Sequence, residues 1–321
     1  MEWQVWPGEW YLDAGALLIA LALDLAFREL PSAIHPVVWM GRLVSLMERV
    51  GPSAESKTAA LAWGGFMAVL LPALAGGMAW LAANGLRELG PVPYLVGVAA
   101  LLSATFAVKG LAQAARTVKD AMDQGSMGEA RYELRSLVSR DATSLDQSLA
   151  SAAAIESVAE NTTDSYIGPW LAFALLGLPG AFAFRAVNTL DSMIGYRGRY
   201  EYLGKASARL DDVMNLIPAR ISAALMVASG ALCRLPAGRG WNRAFEGRRL
   251  TASPNAGWTI GAMSGLLGVV LEKAGHYRIG DGLQAPRPTH IDDAVRVAYA
   301  VAALGIPVAV GALALRGLAT G

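Results

Sequence analysis

The residues able to do chemistry crowd into one stretch, Ala154–Ala219. It reads AIESVAENTTDSYIGPW, then a short apolar run, then RAVNTLDSMIGYRGRYEYLGKASARLDDVMNLIPA. Glu156, Glu160 and Asp164 are spaced i, i+4, i+8, so a regular helix would carry all three on one face. Two glutamates at that spacing repel each other unless a cation sits beside them. Asn188 and Asp191 are three apart, about 60° around a helix. Asp211, Asp212 and Asn215 repeat that spacing. Arg185, Arg197, Arg199, Lys205 and Arg209 are interleaved with these acids and amides. Carboxylates for a divalent cation, with basic groups beside them for phosphate, describe a metal-and-phosphate site. Each piece also has a plain structural reading. The glutamates suit a solvated helix face, the arginines suit topology at a membrane surface, and Asp211 or Asp212 suits a helix N-cap.

These groups must be held by a largely apolar chain. Of its 321 residues 54% are hydrophobic and 17% charged, and the mean hydropathy is +0.39. That balance points to a polytopic membrane protein, all-α, rather than two soluble domains. A net charge of +1 and the lack of a basic, aromatic-interleaved stripe exclude a nucleic-acid partner. The lone Cys233 excludes an intrachain disulfide and a cysteine metal site. Three histidines without HExxH leave little for a zinc hydrolase. The N-terminus lacks the basic start of a cleavable signal.

The hydropathy pattern predicts about four firm spanning helices: 11–27 (with Asp13 and Asp24 inside it), 58–86, 89–108 and 297–315. The second and third should form a hairpin across a short link. Up to three further segments, 165–184, 213–233 and 250–271, are partial or re-entrant. Two amphipathic helices are expected at about 109–124 and 127–139, and a third begins at a Thr143–Asp146 capping box. The segments 28–57 and 109–164 hold four and six Lys/Arg, against one in 84–90. The positive-inside rule therefore sets both basic segments in the cytoplasm. A full crossing by 165–184 would carry the five Lys/Arg of 185–209 outside, which favours a re-entrant hairpin turning at Gly177–Gly180. The whole is read as a single membrane-embedded domain, 1–321, in which 109–164 and 185–220 face the cytoplasm and form the active site.

Other motifs complete the pattern. His35 in HPVVWMGR is a structural or substrate-contacting histidine, and the SPNAG segment (Ser253 and Asn255 within it) has turn and capping chemistry. No P-loop, GxGxxG or kinase motif set is present. HPVVWMGR, the IESxAENxxD pattern at 155–164, NTLDSMIGY, the ARLDDxxNxIPAR pattern at 208–220 and SPNAGW together resemble the adenosylcobinamide-phosphate synthases, membrane proteins of cobalamin biosynthesis. The resemblance runs from about Asp24 to His290.

The resemblance implies ligation of the propionate carboxyl of adenosylcobyric acid to the amine of 1-amino-2-propanol O-phosphate, with ATP as co-substrate and Mg2+ required. An acyl phosphate is the simplest activated form of that carboxyl. On this reading Glu160, Asp191, Asp211 and Asp212 would hold Mg2+, and Arg185, Arg197, Arg199, Lys205 and Arg209 would bind phosphate. His35, Trp39, Asn161, Asn188, Asn215, Ser253 and Asn255 would contact substrate. Glu156 is the candidate base, with Glu160 and Asp164 beside it as catalytic carboxylates, and Trp39, Trp170 and Trp258 offer flat apolar contact to the corrinoid. The expected setting is the bacterial cytoplasmic (inner) membrane, multi-pass, with the active site facing the cytoplasm. Candidate partners are the lipid bilayer, other cobalamin-biosynthesis enzymes and a second copy of the chain. Two other classes compete. A Mg2+-dependent transferase acting on a prenyl or lipid diphosphate predicts an apolar tunnel and no ATP use. A transporter predicts inverted repeats, and the halves show no self-similarity.

Overall fold

In a computed structural model of the chain, residues 9–27, 31–52, 56–196 and 198–320 are described. The elements in order are α1 Trp10–Ala26, α2 Pro36–Val50, α3 Lys57–Glu88, α4 Pro91–Ser103, α5 Val108–Asp123, α6 Met127–Leu134 and α7 Gln147–Thr162. A single π turn, Thr163–Ile167, leads into α8 Gly168–Ile194. Then follow α9 Lys205–Met214, α10 Leu216–Leu232, α11 Ala237–Gly247, α12 Ala256–Leu267, β1 Leu271–Lys273, β2 Tyr277–Ile279 and α13 Thr289–Thr320. Among the described residues the fold is all-α apart from that two-stranded antiparallel hairpin and an isolated parallel bridge between Val269 and Gln284. Among the described residues, four helical runs are long and apolar enough to cross a membrane: Lys57–Glu88, Pro91–Asp123, Gln147–Ile194 and Thr289–Ala319. At 17 residues, α1 is at the short end of what spans a bilayer. The chain is a multi-pass membrane protein.

The backbone groups into two compact units. The first comprises 1–107, 168–214 and 307–321, and the second 108–167 and 215–306.

In the first unit α3 packs along α8, and α1 along α4. The α2–α3–α8 seam is filled by Val44, Met47, Met67, Leu71, Leu190 and Ile194. Gly64 lets the backbone of Leu203 approach α3, since a Cβ there would strike the Leu203 carbonyl. α8 is interrupted at Gly177, whose φ of 66° and ψ of −161° are open only to glycine, two residues before Pro179. That break falls within the expected Gly177–Gly180 turn. Asp13, one of two acids expected in the first apolar span, is fully buried and accepts from Tyr94 Oη at 2.7 Å. Arg316, which also donates to the Phe173 carbonyl at 3.3 Å, pairs with it. A buried carboxylate in an apolar helix requires such partners.

In the second unit α7 is the central element. Its alanine-rich sequence is buried from Ala150 to Ala159, as expected of a helix covered on every side. It packs against α5, α6, α12 and β1. α11 and α12 pack closely, with Gly257, Gly261 and Gly265, spaced at i+4, facing the α11 backbone. A Cβ at Gly261 would meet the Arg243 carbonyl.

Several sequence expectations shift. α5 matches 109–124 closely, but α6 ends at Leu134 rather than 139, where Ser136 Oγ turns back to the Glu133 carbonyl at 2.8 Å. The cap of α7 is Asp146, whose carboxylate accepts from the Leu149 amide at 2.8 Å. Thr143 instead donates its amide to Asp141 at 2.9 Å, and that contact holds the Asp141 carboxyl below its usual range. α9 starts at Lys205, so Asp211 and Asp212 are interior and neither is a cap. The apolar run 250–271 contains only a 12-residue helix, closed by Gly268 in the left-handed region (φ 70°) before β1 begins.

Candidate functional site

α7 carries the two glutamates into a buried setting. Glu156 is 5% exposed, and Arg140, from the segment between α6 and α7, donates Nη2 to its Oε2 at 2.8 Å. Its other oxygen, Oε1, is buried without a hydrogen bond. One turn on, Glu160 is exposed. Asp164 lies in the π turn, where each residue advances through a smaller angle, so the regular i+8 continuation from Glu156 does not reach it. Asn161 is taken up by its own helix: Nδ2 donates to the Ser157 carbonyl at 2.9 Å, and Oδ1 accepts from Ser165 at 3.2 Å.

The β1–β2 hairpin supplies groups the sequence reading missed. β1 packs on α7, and Lys273 and Tyr277 are cross-strand partners, so their side chains share a face. Burial pushes the Tyr277 phenol far above its usual range, and the negative charges of Glu156 and Glu160 push it further. Tyr277 is therefore a neutral hydrogen-bond donor at any working pH. Lys273 and Arg140 set positive charge against the same two glutamates. Neither Arg140, Lys273 nor Tyr277 carries a local sequence signal, because each meets α7 only through the tertiary fold.

The same unit holds the SPNAG turn and Asn215. Asn215 is buried at the head of α10. Ser253 Oγ accepts from the Asn255 amide at 3.2 Å, and Thr251 Oγ1 bridges the Ser253 carbonyl (2.7 Å) and the Gly257 amide (3.0 Å). Asn255 is 6% exposed, and its Oδ1 accepts from Arg220 at 3.1 Å.

The remaining candidates belong to the first unit. His35 caps α2, its Nδ1 accepting from the Val37 amide at 3.2 Å, which gives that nitrogen a structural task. Trp39 is half exposed and donates to the Ala33 carbonyl at 2.9 Å. Arg185 donates to Asn188 Oδ1 at 3.2 Å, and Asn188 is buried on α8. Asp191, three residues further, is partly buried and lies close over Gly195. Arg199 and the Tyr200 phenol both donate to Glu48, at 3.1 and 2.7 Å. They line a cavity of about 500 Å³ with Arg49 and Tyr202. The hydrogen bond to the Glu48 carboxylate raises the Tyr200 phenol above its usual range, and burial adds to the rise. Lys205 is exposed at the head of α9, and Arg209 lies 3.8 Å from Asp212 one turn later. Arg197 lies outside the described residues. Trp170 is fully buried and packed edge-on against Phe106 at 5.5 Å, so it is core rather than an open surface for a flat ligand.

Among the described residues, no three or more histidines, cysteines or carboxylates gather as a metal cage. The expected ligands divide by unit, Glu160 in the second and Asp191, Asp211 and Asp212 in the first. A donor set of one or two carboxylates fits Mg2+ only where the cation is carried largely by substrate phosphates and water.

The sequence matches the family model described as CobD/Cbib protein over residues 17–299. It is 40% identical over 274 residues to the cobalamin biosynthesis protein CobD of Dehalococcoides mccartyi, covering 85% of this chain and 89% of that one. It is 37% identical over 287 residues to the protein of the same name from Klebsiella pneumoniae, covering 88% of each. The probable cobalamin biosynthesis protein CobD of Methanocaldococcus jannaschii is 34% identical over 83% of this chain and 88% of its own. No solved structure matches. By the extent of the family match and these identities, the chain belongs to the CobD/Cbib family.

Proposed function

We propose that this protein works in cobalamin biosynthesis as an ATP- and Mg2+-dependent ligase. It would join the propionate carboxyl of adenosylcobyric acid to the amine of 1-amino-2-propanol O-phosphate. The observation that carries the reading is the buried Arg140–Glu156 pair one helical turn from the exposed Glu160. Glu156 is the proposed base because a carboxylate brought within reach of an ammonium group accepts its proton, and the exposed Glu160 marks the side of α7 from which a substrate would approach.

A carboxylate is a poor acyl donor, so the reaction proceeds in two displacements. The propionate oxygen attacks the γ-phosphorus of ATP, giving an acyl phosphate and ADP. The amine, freed of its extra proton by Glu156, then attacks the acyl carbon and inorganic phosphate leaves. When bound with ATP, Mg2+ supplies charge neutralisation along the triphosphate. Glu160, on α7 beside Glu156, is the carboxylate of this unit that would contact it. Arg185, Arg199, Lys205 and Arg209 are the proposed phosphate contacts, since guanidinium forks match phosphate oxygens. The neutral Tyr277 phenol and the Lys273 ammonium face the glutamate pair, the lysine balancing part of its charge. Placing this chemistry on the cytoplasmic side of the membrane rests on the distribution of Lys and Arg.

The test is single-turnover ADP release by detergent-purified protein given ATP, Mg2+ and adenosylcobyric acid, with and without the amine. Corrinoid-dependent ADP, with amide formed only on amine addition, is the expected result. Glu156→Gln should keep the ADP burst while slowing amide formation by roughly 10²-fold, the usual contribution of a general base. A folded protein that consumes no ATP and forms no amide would overturn the ligase reading. Full amide formation by Glu156→Gln would remove Glu156 as the base.

A further inference from the structure

Trp258, at the head of α12, has two cations on its indole. The Arg220 guanidinium, from α10, lies 5.3 Å from the ring centroid, and that of Arg248, just after α11, lies 5.7 Å from it. Arg248 also stacks at 4.4 Å on Phe245, which packs edge-on against Trp258 at 5.3 Å. Three segments distant in sequence therefore converge on one aromatic platform.

Among the described residues, neither arginine forms an ion pair. Arg220 is held only by neutral acceptors, the Leu216 carbonyl at 2.6 Å and Asn255 Oδ1 at 3.1 Å. In the same unit Arg243 is matched with Glu246 at 2.5 Å and Arg278 with Glu272 and Asp281, each at 2.8 Å. Both Arg220 and Arg248 are half-buried. Their flat faces are covered by aromatic rings, which fixes each fork and leaves edge N–H groups as donors. Two fixed, uncompensated guanidinium groups on one platform repel each other until an anion joins them. A phosphate monoester, with three oxygens and about two negative charges, is the anion whose geometry guanidinium forks match. Ser253 and the partly exposed SPNAG turn adjoin the platform and add hydroxyl and amide groups.

We propose that Arg220, Arg248 and Trp258 form a binding site for the phosphate group of a soluble substrate. The site rests on the ligase reading only for the source of the phosphate, which is either the nucleotide or the amino-alcohol phosphate. It assigns work to two arginines outside the Arg185–Arg209 set.

Binding of ATP, aminopropanol phosphate and inorganic phosphate to the full-length protein in detergent, measured by calorimetry without turnover, tests this. Arg220→Gln and Arg248→Gln should each weaken at least one phosphate ligand by about tenfold or more, the scale of one charge-assisted hydrogen bond. The carboxylate-paired Arg243→Gln should change binding less than twofold. The ligand that weakens names the source. If a Gln variant fails to fold, Arg→Lys at the same position keeps the charge without the fork and should still weaken binding severalfold. Unchanged affinity for all three probes in both arginine variants would overturn the site, as would a wild type that binds none of them. Loss of binding only to phosphatidylglycerol in mixed micelles would overturn the assignment to a soluble phosphate. A wild type that forms no amide yet loses phosphate binding in these variants would refute the ligase reading and leave the site standing.

Discussion

The acids of α7 and those of α8–α9 look alike in sequence but are held in different ways. Glu156 is buried and paired with Arg140, sixteen residues away, over a gap of 2.8 Å. Arg209 and Asp212 are a local i,i+3 pair at 3.8 Å, with the arginine side chain 77% exposed. The first arrangement exists only when the unit is folded, and the α6–α7 segment, α7 and the β1–β2 hairpin must all be in place for it. The second needs nothing beyond one helix. A buried charge is therefore tied to the tertiary structure around it, whereas the exposed Arg209 guanidinium is also open to a ligand. Spacing alone cannot separate the two, because i, i+3 and i, i+4 patterns describe a helix and not what covers it.

The sharpest way to break this comparison is to remove one partner from each pair. Arg140→Ala leaves Glu156 buried without its cation, and such a loss costs about 3–5 kcal/mol. Unfolding in detergent should register that as a large drop in midpoint. Arg140→Ala with wild-type stability would mean that water reaches Glu156 and that α7 does not enclose its acid.

A second contrast lies in the glycines of α3. Gly64 faces the Leu203 backbone, whereas a Cβ at Gly65 would meet nothing within 4 Å. Gly64→Ala must push the chain around 203 off α3 and should destabilise by about 1–3 kcal/mol, as overpacking does. Gly65→Ala should instead stabilise, by up to about 1 kcal/mol, because alanine is the better helix former. Unfolding midpoints of the two variants moving in the same direction would contradict the close α3–Leu203 approach.

The helices were legible where periodicity and length decide them. α3 and α5 fall near their expected places, α13 contains its expected 297–315 span but begins at Thr289, and the break at Gly177 lies where glycine and proline mark it in the sequence. Within the candidate site, Glu156, Glu160, Asn188 and Asp191 are on helices as the spacing suggested. The π turn was not legible, since no residue pattern separates TDSYI from a regular turn, and it alters where Asp164 points. The hairpin was hidden because three-residue strands are too short to alternate visibly. Trp170 illustrates the reverse failure. An indole is equally able to stack on a ligand or fill a core, and only its contact with Phe106 decides for the core.

The smallest expected effect is the other half of the α7–α9 contrast. Removing the Arg209 side chain takes away an exposed i,i+3 partner of Asp212, and pairs of this kind contribute about 0–1 kcal/mol. Arg209→Ala should therefore leave the unfolding midpoint nearly unchanged. Its effect should appear in function, as a raised KM for a phosphate-bearing substrate with little change in kcat, because a charge that does not stabilise the fold remains available to a ligand. A fall in stability comparable to that of Arg140→Ala would show that α9 depends on its surface charges as α7 depends on its buried ones. Unchanged stability together with an unchanged KM would remove Arg209 from the phosphate contacts.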